Sequence, residues 1–327
     1  MSAPTSSPAY PRYVLGLLFV VFVFNFIDRQ ILSILLEPIK KDLGVSDTAM
    51  GFLTGIAFAL FYTFAGIPIA RLADRRTRRT IIALGLAAWS AMTAASGIVR
   101  TFAELALARI GVGVGEAACS PPAHSLLADY FPPERRATAL AIYSMGIYVG
   151  ILFGFLIGGY MSQYFGWRQA FLVVGLPGLV LAVLVRFTVR EAPRMHFAAV
   201  PIPTGTAIRM LWDMRTFRHM ALGAALHSFA GYGIAAWAPA FLARVHHLGP
   251  AESGLWLGLI SGIGGGIGAT TGGMLADQLG VRDARWALWV PAIASVAEIP
   301  FWFVFLLWPS HAPALLISIP GVVGGAM

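Results

Sequence analysis

Residues 66–79 read GIPIARLADRRTRR, and this stretch decides the fold. It begins as the end of an apolar run, 47–70, and then becomes a loop that carries one acid, Asp74, among arginines. An apolar run of about 20 residues can cross a hydrocarbon core about 30 Å thick as a helix. A span that ends in a cluster of arginines is typical of a cytoplasmic membrane boundary. The stretch therefore predicts a helical membrane protein.

Comparable apolar runs recur along the 327 residues, and their unbroken apolarity favours helices over barrel strands, which alternate with a period of two. Apolar residues make up 58% of the chain and charged residues 12%. A soluble enzyme, a disordered protein and a nucleic-acid-binding domain are excluded, because too few polar side chains remain to cover a globule. We predict nine complete spans and part of a tenth, at 13–36, 47–70, 80–99, 102–128, 137–160, 168–189, 219–243, 252–276, 285–308 and from 312 onward.

The net charge of +8 is explained by membrane orientation. With the N-terminus inside, sixteen of the 23 lysines and arginines fall on the cytoplasmic side and five on the outer side. This bias fixes the topology by the positive-inside rule, so no nucleic-acid partner is needed to account for the charge. We predict a multi-pass protein of the plasma membrane, which is the inner membrane in a Gram-negative bacterium, with its N-terminus in the cytoplasm.

The two halves of the chain repeat each other. Leu-Ala-Asp74 ends the second span and Leu-Ala-Asp277 ends the eighth, on the same side and six spans apart. Repeats of the same sense predict two parallel six-helix bundles with a binding site between them near the midplane. We predict a disordered tail, an N-terminal six-helix bundle, a cytoplasmic interdomain loop and a partial C-terminal bundle, at 1–11, 12–190, 191–218 and 219–327.

The loop at 66–79 resembles the loop signature of the major facilitator superfamily. Three further motifs together look like the Spinster-type branch of that superfamily: NFIDRQ at 25–30, ARIGVGVGE at 108–116 and GYGIAAW at 231–237. The second-half loop departs from the signature, because Gln278 stands where an arginine is expected.

This resemblance implies a major facilitator fold and a proton-coupled secondary transporter that works by alternating access. It implies an amphipathic anion as substrate, such as a lysophospholipid or a sphingolipid-like molecule, while small organic acids, sugar acids and drugs remain open. The alternatives are a multidrug efflux antiporter and a non-transporting membrane receptor or scaffold on the same fold. No catalytic constellation is present, so we do not expect an enzyme.

The repeat also predicts a length. A half that ends near residue 190, followed by a second half of similar size, implies about 400 residues and twelve spans. The chain has 327 residues and stops within the tenth predicted span. We therefore expect a fragment whose C-terminal bundle is truncated, and we do not expect it to transport alone.

Charged side chains within spans cost several kcal/mol and are candidates for function. Asp28 and Arg109 lie at depths that agree to within about 2 Å, at about 1.5 Å per residue, so they can meet if their helices are neighbours. Glu116 projects from nearly the same face as Arg109, about 10 Å deeper. We hypothesise that Asp28 and Glu116 carry protons, and that Arg29 and Arg109 bind an anionic headgroup. A static buried ion pair that holds two helices together is the alternative.

His227, in the seventh span, is a further candidate, either as a proton relay or substrate donor or as a hydrogen-bonding partner of a neighbouring helix. At the end of the second span, the positive-inside rule explains the arginines but not the acid among them. In the family that the chain resembles, this acid and its arginines join the bundles at the cytoplasmic face. The resemblance therefore implies a cytoplasmic gate made of Asp74, Arg75, Arg78 and Arg79, with Asp277 as the second-half counterpart.

Glycines at 146, 150, 154 and 158 form a ladder with a four-residue spacing in the fifth span. Such a ladder allows close helix packing and is compatible with a sliding surface between bundles. We expect Pro121-Pro122 and Pro239 to break the fourth and seventh spans. No metal-ligand spacing occurs, and the Gly-rich run at 264–269 lies inside an apolar span, where a dinucleotide motif has no meaning. The expected partners are a small-molecule or lipid-like substrate, protons and membrane lipid, with no cofactor and no obligate protein partner.

Overall fold

The computed structural model describes residues 9–194 and 203–327, which contain helices and no strand. We refer to residues 9–194 as the first half and to residues 203–327 as the second half. The first half consists of nine α-helices and one π-helical turn, Phe52–Ala57, which joins α3 to α4. The helices are α1 Ala9–Ile34, α2 Leu36–Leu43, α3 Asp47–Gly51, α4 Phe58–Arg75, α5 Arg78–Ser96, α6 Phe102–Glu116, α7 Ser120–Tyr130, α8 Pro133–Tyr164 and α9 Trp167–Thr188.

The second half begins with a short helix and continues with longer apolar ones, and a second π-helical turn, Leu259–Gly264, joins α12 to α13. These helices are α10 Thr204–Asp213, α11 Arg215–Val245, α12 Pro250–Gly258, α13 Gly265–Gly280, α14 Trp286–Ala297, α15 Ile299–Leu307 and α16 His311–Gly325. Six helical runs among the described residues are long and apolar enough to cross a membrane. They are Ala9–Ile34, Asp47–Arg75, Pro133–Tyr164, Trp167–Thr188, Pro250–Gly280 and Trp286–Leu307. The fold is that of an all-helical, multi-pass membrane protein.

Several predicted boundaries move in the structure. The predicted span 102–128 is two helices, because α6 ends at Glu116 and the prolines at 121 and 122 stand in the first turn of α7. Proline is accepted there, since the N–H that it lacks has no partner in the first turn of a helix. Pro239, by contrast, is buried inside an unbroken α11, so the predicted break is wrong.

The edges of the predicted tail and loop also change. Residues 9–11, predicted in the tail, are helical, while residues 1–8 lie outside the described residues. The predicted interdomain loop, 191–218, contains α10 and the start of α11, and its residues 195–202 lie outside the described residues. The apolar residues of α10 recur on one face of the helix, so this segment is a connection with its own structure.

The two ends of the bundle differ in charge. α1 starts, and α9 ends, at an end that holds the arginines of the loop between α4 and α5; we call this end the basic side. The start of α1 contacts the end of α9 here, because the Tyr10 hydroxyl donates to the carbonyl of Thr188 over 2.8 Å. The other end, which holds α2 and the start of α3, is called the opposite side.

Packing joins the halves on one side only. The core nearer the opposite side contains residues of both halves, such as Ile31 and Phe155 from the first and Leu242 and Leu257 from the second. The core on the basic side is built, among the described residues, from the first half alone, with Leu18 and Leu126 among its members. The halves therefore share a core near the opposite side and separate toward the basic side.

The glycine ladder of α8 packs within the first half. A side chain on Gly150 would collide with Phe26 and with the backbone of α1, and one on Gly154 would meet Gln30 and Ile27. The helices α1 and α8 can approach this closely only because these positions lack side chains. The ladder thus serves intra-half packing.

The contact between halves uses other glycines. Gly159 of α8 lies against the backbone of α12 at Pro250 and Gly254, and Gly258 of α12 lies against the carbonyl of Leu152. This seam is backbone against backbone, with few side chains between the two helices.

Candidate functional site

Two buried ion pairs connect α1 to α6 at the centre of the first half. In the first pair, Arg109 Nη2 donates to Asp28 Oδ2 over 2.8 Å, and Nη1 lies 3.3 Å from Oδ1. Thr93 of α5 donates to Asp28 Oδ1 over 2.6 Å. The side chains of Asp28 and Arg109 are 1% and 3% exposed. The structure thus brings together the two residues whose matching depths predict a contact.

In the second pair, Arg29 Nε donates to Glu116 Oε2 over 2.7 Å. The guanidinium of Arg29 also lies over three aromatic rings, at 5.0 Å from Phe26, 5.1 Å from Phe58 and 5.0 Å from Tyr62. Such rings attract a cation through their negative faces. Arg29 is 14% exposed and Glu116 is 0% exposed, so Arg29 is the member of this pair that remains accessible.

Polar atoms without partners surround the second pair. Glu116 Oε1 and both side-chain polar atoms of Asn25 are buried and have no hydrogen-bond partner among the described residues. Asn25 lies one helical turn before Arg29 and on the same face. A buried polar group without a partner costs about 1–3 kcal/mol, so the site holds hydrogen-bonding capacity that packing does not use.

The second half contributes one group that the sequence analysis did not single out. Tyr232 of α11 lies within electrostatic range of the Arg29 guanidinium, and its side chain is exposed. The only feature of the sequence that points to Tyr232 is its place in the GYGIAAW motif, and this feature does not distinguish it from the tyrosines of other spans. Arg29 therefore faces the second half, whereas Arg109 is enclosed by the first.

His227 lies elsewhere. Its Nδ1 is 3.2 Å from Ser295 Oγ of α14, and its Nε2 is 3.2 Å from the carbonyl oxygen of Gly325 of α16. Both partners belong to the second half, so the structure places His227 in contacts between neighbouring helices and not beside the two ion pairs.

The residues predicted to form a cytoplasmic gate are divided between two environments. Arg78 is 1% exposed and bonded entirely within the first half, to Glu191 over 2.7 Å, to Asp129, to Ser125 and to the carbonyl of Ala192. These contacts attach the segment that follows α9 to the start of α5.

Arg79 takes part in the same attachment, because its backbone N–H donates to Glu191 and its Nη1 donates to the carbonyl of Val189. Asp74, Arg75 and Asp277 are exposed and make no ion pair among the described residues. In this conformation the predicted gate residues make no bridge between the halves.

A charged cluster does join the halves, on the opposite side. Arg244, at the end of α11, binds Glu37 Oε1 over 2.6 Å through Nε and binds both carboxylate oxygens of Asp47 over 2.6 and 3.0 Å. Lys40 lies 2.7 Å from Asp47 as well. We call these four residues the Arg244 cluster. Because Arg244 is the only one of them in the second half, the cluster holds the opposite side closed.

Replacing Arg244 by glutamine is expected to shift the molecule toward states that are open on the opposite side. Exposed ion pairs contribute about 0.2–1 kcal/mol each, so loss of two gives a roughly fivefold shift in the equilibrium. The readout is the labelling rate of a cysteine at Ser253, a buried position of α12 next to this contact, by a maleimide that does not cross membranes.

The matched control is Arg168→Gln. Arg168 binds Asp42 over 2.7 Å with similar exposure, but both residues belong to the first half. The Arg168→Gln variant should therefore leave the labelling rate of the cysteine in Ser253→Cys unchanged. Equal rates for Arg244→Gln and its parent would show that the Arg244 cluster does not hold the halves together.

Comparison with known proteins relates this architecture to a family. Residues 18–327 match the sequence profile of the Major Facilitator Superfamily. An "MFS-type efflux pump" of Mycolicibacterium smegmatis is 37% identical over 288 residues, which cover 87% of this chain and 67% of that protein. A "Probable L-galactonate transporter" of Escherichia coli is 29% identical over 277 residues, which cover 80% of this chain and 61% of that protein. The chain thus spans about two thirds of the length of these relatives.

A solved structure agrees over nearly the whole chain. The crystal structure of a bacterial homologue of the human lysosomal transporter Spinster, inward-facing and unoccupied, matches with a TM-score of 0.85 and 34% identity. The match covers 98% of this chain and 74% of that one.

Proposed function

The chain belongs to the major facilitator superfamily and is Spinster-like within it, and from that premise we propose a proton-coupled transporter of an anionic or amphipathic organic solute. The observation that carries the proposal is the pair of neighbouring ion pairs, Asp28–Arg109 and Arg29–Glu116, in a membrane-spanning bundle. Intramembrane charges are costly, and their usual roles are ion and proton pathways or substrate binding. Alternating access would expose this site to each side in turn.

Competition for Arg29 couples the solute to the proton in this proposal. A solute anion that enters between the halves reaches Arg29 first, because the other three charged side chains are at most 3% exposed. Its negative group would replace Glu116 as the partner of the guanidinium. A carboxylate that loses its cation in a low-dielectric site takes up a proton. Glu116 is thus the group that exchanges a proton when the solute binds or leaves.

The Asp28–Arg109 pair takes part in a second step of the proposed proton coupling, after the proton exchange at Glu116. Asp28 is adjacent to Arg29 in α1, so movement of the Arg29 backbone also moves Asp28 relative to Arg109. Protonation of Asp28 would weaken its contact with Arg109 and leave its hydrogen bond to Thr93 as the remaining link. The static alternative, in which this pair only holds α1 to α6, leaves transport independent of the charge on Asp28.

The surroundings support an apolar part in the solute. A groove of about 470 Å³ lies between α8 and the second half, and its lining is almost entirely apolar, with Tyr148, Leu152, Ile263 and Ile267 among the lining residues. The α8 residues that line this groove lie on the face of the helix opposite Gly150, the position that packs on Phe26 of α1, so the groove does not adjoin Arg29. The apolar surface that adjoins Arg29 is made of the rings of Phe26, Phe58 and Tyr62. A headgroup at Arg29 with an apolar part against these rings fits a lysophospholipid or a sphingolipid-like molecule.

An efflux antiporter is the second candidate function. The similarity to an efflux pump of Mycolicibacterium smegmatis favours it, and the apolar groove between α8 and the second half could hold a drug-like molecule. A small sugar acid would use Arg29 without apolar contacts, so the size of the apolar part of the solute separates these substrates.

The two sides of the molecule fit alternating access. With the basic side placed in the cytoplasm of a plasma-membrane protein, the closed Arg244 cluster faces outward and the halves are apart inward. On closure of the basic side, Asp74 and Asp277 would meet partners in the other half, which keeps the gate prediction for these exposed acids. His227 would then act from the second half as a structural hydrogen-bonding residue or as a relay.

Uptake by the full-length protein in proteoliposomes tests this function. We expect flux of a lysophospholipid to rise when a pH gradient is imposed and to fall when a protonophore removes it. A sugar acid and a drug, assayed in the same vesicles, identify the class of solute. Binding without flux would favour a receptor on this fold, and flux that ignores the pH gradient would contradict proton coupling.

A further inference from the structure

The helix α10 has an apolar face that no described residue covers. At 100° per residue, positions 207, 208, 211 and 212 share one face of the helix, while Arg209 and Asp213 lie on the other. Ile208, Leu211 and Trp212 are 56%, 43% and 63% exposed. A short amphipathic helix in water would not leave three large apolar side chains unprotected, because their burial drives helix formation.

The location of α10 indicates what covers this face. A single residue, Met214, joins α10 to α11, and α11 runs from the basic side to the Arg244 cluster on the opposite side. The first turns of α11 also expose apolar side chains, at Met220 and Leu222. The apolar face of α10 is therefore followed directly by exposed apolar side chains of α11, the helix that contains the predicted span 219–243.

The charges beside α10 favour an anionic partner. Arg209 lies on its polar face, and Arg215 and Arg218 follow in the first turn of α11, with Asp213 as the one acid between residues 203 and 218. All of these side chains are exposed. Basic residues near a membrane surface attract anionic headgroups, and tryptophan favours the headgroup level of the bilayer.

We propose that α10 is an interfacial helix that binds the bilayer surface on the basic side. It inserts Ile208, Leu211 and Trp212 at the boundary of the acyl chains, and Arg209, Arg215 and Arg218 bind anionic phospholipid headgroups. Amphipathic helices of this kind lie in the plane of the membrane with the apolar face about 5–10 Å below the headgroups. Binding of α10 would attach the connection between the halves to the membrane and does not depend on the solute that is transported.

Site-specific fluorescence in vesicles tests the proposal. An environment-sensitive dye is attached to Leu211→Cys on the apolar face or, as the matched control, to Thr206→Cys on the polar face. The native Cys119 is buried and stays in place, and the parent chain shows its background labelling. Val180→Cys, at an exposed apolar position of the spanning helix α9, reports correct insertion. Vesicles contain phosphatidylcholine with or without phosphatidylglycerol, and a nitroxide on the lipid quenches dyes that enter the bilayer.

We expect the dye at position 211 to shift to the blue and to be quenched by the lipid nitroxide, while the dye at 206 behaves as in water. Each arginine replaced by glutamine should lower the ratio of bound to unbound α10 about fivefold in phosphatidylglycerol vesicles. Equal quenching at 206 and 211 would overturn the proposal. A blue shift at 211 without nitroxide quenching would also overturn it, because a protein surface would then cover the apolar face. If quenching at 211 changes neither with the phosphatidylglycerol content nor when the arginines are replaced, the proposed binding of anionic headgroups is overturned.

Discussion

Asp28→Asn is expected to abolish proton-driven uptake by the full-length protein. Asparagine keeps the size of the side chain and can accept from Thr93, but it cannot carry a proton on and off at the position that faces Arg109. If Asp28 exchanges the coupling proton, uptake driven by a pH gradient falls to the level of empty vesicles. Solute exchange without a gradient is expected to be less affected, because the Arg29–Glu116 pair is unchanged.

Loss of folding has to be separated from loss of coupling. Removing one partner of a buried ion pair costs about 3–5 kcal/mol, because Arg109 keeps a buried charge without a partner. The double variant Asp28→Asn/Arg109→Gln removes that charge, so it should regain stability and still lack proton-driven uptake. Asp42→Asn, at an exposed acid of the same half, is the matched control and should retain uptake. Coupled uptake by Asp28→Asn would leave the pair with a structural role only.

Arg78→Ala is expected to produce the largest loss of stability among the arginines of the basic side. Arg78 is 1% exposed and binds two carboxylates, Asp129 and Glu191, together with the carbonyl of Ala192. Its removal takes the donor from the buried carbonyl of Ala192 and the cation from Asp129 and Glu191, and it weakens the attachment of the segment that follows α9. The expected decrease in the free energy of unfolding is about 3–5 kcal/mol, measured for the purified chain by denaturant unfolding in mixed micelles.

Arg76→Ala is the matched control, because Arg76 belongs to the same loop and its side chain is exposed. A substitution at an exposed side chain of this kind changes the free energy of unfolding by no more than about 0.5 kcal/mol. Similar losses for the two variants would contradict a special role for the buried cation. A normal stability of Arg78→Ala combined with faster labelling on the basic side would instead favour the predicted gate.

The sequence predicts part of the site because depth along a helix is a local quantity. The contact of Asp28 with Arg109 follows from two distances counted along their own spans. The contact of Arg29 with Glu116 does not, because it depends on how far a long side chain reaches across turns. The hypothesis from the sequence assigns Arg29 and Arg109 together to an anionic headgroup, whereas the structure pairs each arginine with a carboxylate.

The contacts on the basic side are harder to predict from the sequence for a related reason. The partners of Arg78 are Asp129 and Glu191, about 50 and 110 positions away, and neither belongs to a motif that points to it. The place of Arg78 in the signature loop therefore predicts a gate residue, whereas the structure packs Arg78 within the first half. Six of the predicted spans coincide with helical runs that are long and apolar enough to cross a membrane, because apolar length is read directly from the sequence. Helix ends differ from the prediction where prolines or amphipathic segments are involved.

The seam at Gly159 and Gly254 determines how the two halves can separate. Dispersion attraction falls so steeply that a gap of about 0.5–1 Å forfeits a quarter to a half of it. At this seam the backbones of α8 and α12 touch with few side chains between them. No long side chain can therefore keep the two helices in contact as they move apart. We therefore expect this contact to be either made or lost, with few stable intermediates in which both sides are partly open.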